Sequence, residues 1–263
     1  MNTCFFFLII LFISITTGHA AQASRVYMEL NPYQEFLEDG TYRDMDWSPY
    51  DKEIPASRFE SFVYAFEWFE QHKGKIVVEL GTSCSFVHDG LPGCNSNDST
   101  YWMPHDPKSW DWGAGFFTRM CAAALNPLSP VIHTVDICAE HIRRCKIITE
   151  PYAHLIQYHI ASSVDFLKRW PKHKKIDLIY LDTGDMTPIE PTAKLQLDEV
   201  KMIVERALLA SRGIIVIDDV RNQTPRKFGD TSGFGKSKYS LPYLLGHGFK
   251  IIFDGYQIIL TKR

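Results

Sequence analysis

Ile76-Val77-Val78-Glu79-Leu80-Gly81 decides how this chain folds. The five residues before the glycine, four of them apolar, are too few for a stable helix, and a run without alternation suits a strand buried on both faces. Glycine at its end lets the backbone turn tightly. The pattern recurs downstream as strands at Val131–Asp136 (VIHTVD), 155–160 (LIQYHI), 176–182 (IDLIYLD) and 213–219 (GIIVIDD). Between them lie helical spacings. Phe59, Phe62, Val63, Phe66 and Phe69 follow a capping box, Ser57-Arg58-Phe59-Glu60, and the helix stops at Gly74. A second helix starts near Ala139, and a third spans 192–211 with Gly213 as its cap. Residues 250–253 and 256–260 read as strands joined by Asp254-Gly255, a strong hairpin signal. Strands alternating with helices predict an α/β domain with a mostly parallel sheet covered on both faces.

Composition agrees with that class. The chain has 263 residues, 45% hydrophobic and 22% charged, too apolar for a disordered chain. Its formal net charge of −3 gives no global electrostatic reason to bind nucleic acid. Cys4 to Ile15 (CFFFLIILFISI) is too short to span a bilayer comfortably and reads as a secretory signal core. Cleavage after Ala23 or Ala20 would release an exported protein with no stable membrane span; an uncleaved signal anchor is the other reading. Residues 24–56 read as an irregular arm, and 57–263 as the α/β domain. Five cysteines remain after the signal: Cys84, Cys94, Cys121, Cys138 and Cys145. An odd number in an exported chain leaves a free thiol or an intermolecular bond. Cys84 and Cys94 flank a loop and could pair. Cys138 and Cys145, about 10 Å apart on one helix, could not. Asn97-Asp98-Ser99 and Asn222-Gln223-Thr224 are glycosylation sequons.

Chemistry is expected where strands end. In open parallel sheets, ligands bind beyond the carboxyl edge, near the point where strand order reverses. Glu79, Asp136, Asp182 and the pair Asp218-Asp219 all stand at or next to strand ends. Neighbouring strands lie about 4.8 Å apart, so Asp182, Asp218 and Asp219 can surround one cation. Oxygen-only ligands suit Mg²⁺ or Ca²⁺. The competing reading is that these acids cap turns and helix starts.

Glu79-Leu80-Gly81-Thr82-Ser83-Cys84-Ser85-Phe86 resembles the first motif of class I S-adenosylmethionine (SAM) dependent methyltransferases. It is most similar to the metal-dependent catechol and caffeoyl-CoA O-methyltransferase branch, where the pattern is E-[IL]-G-x-x-x-G-Y-S. Glu79 and Gly81 match, and Ser85 replaces a glycine. The resemblance runs over roughly residues 57–263. It implies a Rossmann-like, seven-stranded sheet with an antiparallel last strand. It also implies SAM held by Glu79, Gly81, Thr82, Ser83, Ser85, Asp136 (on the ribose), Ser162 and Ser163 (by adenine) and Asp182. Asp182, Asp218 and Asp219 fall where metal-dependent members place their ligands. Asp185 is the one candidate for a general base. The activity implied is methyl transfer to a hydroxyl of a small-molecule acceptor.

Two segments stand outside that frame. Gly81 and Asp136 are 55 positions apart, where about 20 is usual. Residues 86–112 account for much of the excess; their tryptophans suit a lid or a packed surface excursion. Arg221 to Tyr239 carries Arg221, Arg226, Lys227, Lys236 and Lys238, able to hold an acidic substrate or to stay solvated. A catalytically inactive exported binding protein, a metal-assisted hydrolase and a carrier of another nucleotide remain alternatives, because fold does not fix function.

Overall fold

A computed structural model describes residues 23–34, 37, 58–82, 115–184, 188–220 and 234–262. The signal segment, the 86–112 insertion, both sequons, Cys84, Cys94, Ser83, Ser85 and Asp185 lie outside the described residues. The strands are β1 (Ile76–Leu80), β2 (Val131–Asp136), β3 (Ile156–Ile160), β4 (Ile176–Leu181), β5 (Leu209–Ile217), β6 (Phe249–Asp254) and β7 (Ile258–Lys262). The helices are α1 (Arg25–Leu30), α2 (Phe59–Gln71), α3 (Phe116–Leu125), α4 (Ala139–Ile148), α5 (Ser163–Arg169), α6 (Ile189–Glu205) and α7 (Ser240–Gly246).

The sheet has seven strands in the order β3-β2-β1-β4-β5-β7-β6. β1 to β5 pair in parallel, and β7 runs against both β5 and β6. The expected α/β class, strand count and reversed last strand are all present. Order reverses between β1 and β4, which are neighbours at the centre.

Both faces are covered, which is why the strands carry continuous apolar runs. Val77, Leu178, Tyr180, Ile214 and Val216 pack with Phe62, Phe66, Phe116 and Phe117 from α2 and α3. Val78, Leu80, Ile179, Leu181, Ile215 and Ile217 pack with Val200 and Ile203 of α6 and Leu241 and Leu244 of α7. Phe117 stacks on Tyr180 at a centroid distance of 4.1 Å. Burying such a ring contributes about 1.5–3 kcal/mol. His133 is a buried histidine of β2, with Nδ1 3.0 Å from Nε2 of His159 on β3. Burial first, then His159, lowers its pKa to about 4.

Three boundaries correct the sequence expectations. The arm begins with a regular helix, α1, whose Val26 and Leu30 are buried. Ser57, the expected cap, lies outside the described residues, and the N-cap of α2 is Arg58, whose side chain makes no capping bond and is used elsewhere. The helix expected over 192–211 ends at Glu205, and β5 begins at Leu209. Gly213 is therefore inside a strand, near a register irregularity against β4, and caps nothing. Cys121, Cys138 and Cys145 are free thiols. No helix among the described residues is long and apolar enough to cross a membrane.

Candidate functional site

Backbone ladders continue one step past the strand ends and align the site. The Gly81 N–H donates to the Val135 carbonyl, Asp182 N–H to Leu80 and Asp218 N–H to Leu181. Gly81 has φ +82°, and a Cβ there would lie 2.5 Å from the Asp182 carbonyl oxygen. Only glycine lets the β1 turn approach β4 this closely.

Beyond these ends lies a cavity of about 380 Å³. Gly81, Thr82, Asp136, Ser162, Ser163, Asp182 and Asp219 line it, as expected from the sequence. So do Arg58, Ile137, Cys138, His141 and Thr183, which sequence reasoning did not assign to a site, and Lys236, which it read only as one of several loop cations for an acidic substrate. Asp136 accepts a hydrogen bond from the Cys138 N–H at 2.7 Å and lies 3.1 Å from His141 Nδ1. Ile137, the next residue, is 75% exposed, an apolar side chain held open beside an acid. Ser162 caps α5 by accepting from the Asp165 N–H. Thr183 donates to Glu199 at 2.8 Å. Burial pushes Glu199 up to about 7, against the bonds from Ser163 and Thr183.

Glu79 does not line the cavity, contrary to its expected cofactor role. It is fully buried and accepts hydrogen bonds from Thr118 of α3 and Thr134 of β2. Its Oε1 has no partner among the described residues. Burial raises its pKa from 4.5 to about 8, so it holds a proton at neutral pH. The unfolded chain loses that proton above about pH 4.5 while the folded chain keeps it, so stability falls as pH rises from 4.5 towards 8. Glu79→Gln should remove this slope of about 1.4 kcal/mol per pH unit. Melts at pH 5 and 8 check it: the variant should gain on wild type by about 3–4 kcal/mol between them. A constant difference would refute the assignment.

The expected acidic triad does converge: Asp182, Asp218 and Asp219 place carboxylate oxygens within 4.8 Å of one another. Protein cations already sit among them. Arg58 Nε donates to Asp218 Oδ1 and Oδ2 at 3.0 and 3.1 Å, and Nη2 to Asp219 Oδ1 at 2.9 Å. Lys236 Nζ lies 2.9 Å from Asp182 Oδ1 and 2.8 Å from Asp219 Oδ2. Asp218 also accepts from Tyr180 Oη, Gln257 Nε2 and the Asp219 N–H, and it does not line the cavity. Four donors on two oxygens leave that carboxylate no lone pair for a metal. Burial works to raise the Asp219 pKa, but Lys236 and Arg58 hold it down to about 2. Burial keeps Asp182 raised, despite Lys236. The residues present do not fit a divalent cation.

No protein-family model and no curated protein matches the chain. Solved structures do. A Podospora anserina methyltransferase, determined with bound S-adenosylhomocysteine (SAH), is 14% identical, with a TM-score of 0.50 over 92% of this chain and 89% of that one. A Klebsiella pneumoniae protein assigned as an O-methyltransferase is 10% identical, with a TM-score of 0.50 over 93% of each chain. At these identities the likeness is one of fold: a Rossmann-like, seven-stranded sheet with a reversed strand.

Proposed function

We propose that this protein binds SAM in the β1–β2–β4 cavity and transfers its methyl group to an oxygen of a small-molecule acceptor. The observation that carries the reading is the cavity wall. A side-chain-free turn at Gly81, a carboxylate at Asp136 and an exposed apolar residue at Ile137 follow one another around the central switch point. Asp136 would accept from the vicinal ribose hydroxyls, and Ile137 would pack on the flat face of adenine. Ser162 and Ser163 would border the base, and Gly81 would let the backbone approach the methionine portion. The SAH-bound Podospora anserina methyltransferase supports the choice of cofactor through shared fold.

SAM supplies an electrophilic methyl group on a sulfonium. The chain's part is to hold donor and acceptor in line and to exclude water. Asp182 and Lys236 border the same cavity; an acceptor oxygen would meet there the one Lys236 N–H that the two carboxylates leave over. A cavity of about 380 Å³ and an acidic net charge favour a small acceptor over nucleic acid. Export through the N-terminal apolar run belongs to the same proposal. Ser83 and Ser85 keep the cofactor roles that the sequence motif implies, and Asp185 stays the candidate general base.

Calorimetric titration of SAH into the full-length protein and into Asp136→Ala tests the reading. Wild type should bind with a Kd on the order of micromolar, and the variant about a hundredfold more weakly. Equal affinity in both would remove Asp136 from the site, and no binding by wild type would end the cofactor reading.

A further inference from the structure

The acidic triad is built around cations that belong to the chain itself. We infer that Lys236 and Arg58 are its permanent counter-ions, and that Lys236 stands where a divalent cation would otherwise sit. This concerns the triad alone and holds whether or not SAM binds.

The argument starts from the donors. Lys236 is 4% exposed, and two of its ammonium protons reach the two carboxylates that border the cavity. Asp182 and Asp219 are two of the three carboxylates an incoming metal would need. The third carboxylate, Asp218, is saturated by Arg58, Tyr180, Gln257 and a backbone N–H. A metal would therefore find one satisfied ligand and two that grip an ammonium. It would also face repulsion from two fixed positive charges, strong among side chains this buried.

The backbone is shaped to deliver the lysine. Asp219, whose carboxylate meets both Arg58 and Lys236, adopts φ +51°, uncommon for a residue with a side chain. Gly235 has φ +51°, and a Cβ there would lie 1.9 Å from the Asp219 carbonyl oxygen. The segment bearing Lys236 thus lies directly on the Asp219 backbone, a contact only glycine allows. A loosely tethered surface lysine would require neither feature.

The test is a Mn²⁺ titration, read by calorimetry and by electron paramagnetic resonance of free Mn²⁺, on full-length wild type, Lys236→Met, Asp182→Asn and the double variant. Wild type should show no site tighter than about 1 mM, the weak end of oxygen-ligand cation sites. Lys236→Met should gain a site at least about tenfold tighter, lost again when Asp182→Asn is added. A wild-type Mn²⁺ site that Asp182→Asn abolishes would overturn the inference. So would a folded Lys236→Met protein that binds no better than wild type. If circular dichroism shows Lys236→Met unfolded, the wild-type and Asp182→Asn titrations decide alone: no site in wild type supports the inference, and a site lost in Asp182→Asn refutes it.

Discussion

Arg58→Met is expected to destabilise the fold by about 3–5 kcal/mol, the range for stripping one partner from a buried ion pair. Arg58 is 4% exposed and Asp218 fully buried. Its guanidinium makes two hydrogen bonds to Asp218 and one to Asp219, and it lies 4.5 Å from the Tyr256 ring centroid. Methionine keeps the volume and removes the charge. Tyr180 and Gln257 can still donate to Asp218, but neither carries a compensating charge. The melting temperature should fall by roughly 10 °C for a chain of this size. Arg58→Lys should recover only part of the loss, because one ammonium cannot reproduce the planar fork. A change below about 1 kcal/mol would mean that the two aspartates do not depend on Arg58.

Gly81→Ala should weaken SAH binding severely and also cost stability. The added Cβ would meet the Asp182 carbonyl oxygen at 2.5 Å and the Thr183 Cα at 2.8 Å, both backbone, at φ +82°. The left-handed conformation alone costs a β-carbon residue about 1–2 kcal/mol. Relief requires β1 and β4 to part at their carboxyl ends, which widens the cavity floor where the cofactor backbone would rest. Affinity should fall at least about a hundredfold, with a stability loss of about 2–4 kcal/mol. Urea melts and SAH titration separate the two effects. An alanine variant that binds SAH normally would show that the turn is not the contact surface.

Much of the fold was legible because both sheet faces are buried. Leu178 to Leu181 and Ile214 to Ile217 announce themselves as strand interiors by unbroken apolar runs. The start of β5 was not legible. Leu208, Leu209, Ala210 and Arg212 are good helix formers and continue the helical spacing. The break comes at Ala207, which takes φ +50°, a conformation its side chain gives no hint of. Gly213 then marked a strand irregularity rather than a cap, as glycines in strands often do.

The site divides along the same line. Acids at strand ends can be placed from sequence, since the parallel register fixes where each strand stops. What faces each acid cannot. Lys236 arrives from a glycine-containing loop and Arg58 from the start of α2, and no local pattern records that they meet the same carboxylates. Glu79 shows the reverse error: its motif position suggested a ligand contact, while Thr118 and Thr134 enclose it within the protein. Ile137 could have been singled out, because an apolar residue directly after a strand-ending acid, outside the core pattern, has little reason to be exposed unless something covers it.

A crystal structure of the full-length protein with SAH tests the central claim most directly. The account predicts density for the nucleoside between Asp136, Ile137 and Ser162, with the amino-acid portion over Gly81. SAH lodged elsewhere, or a cavity that stays empty at saturating SAH, would contradict it.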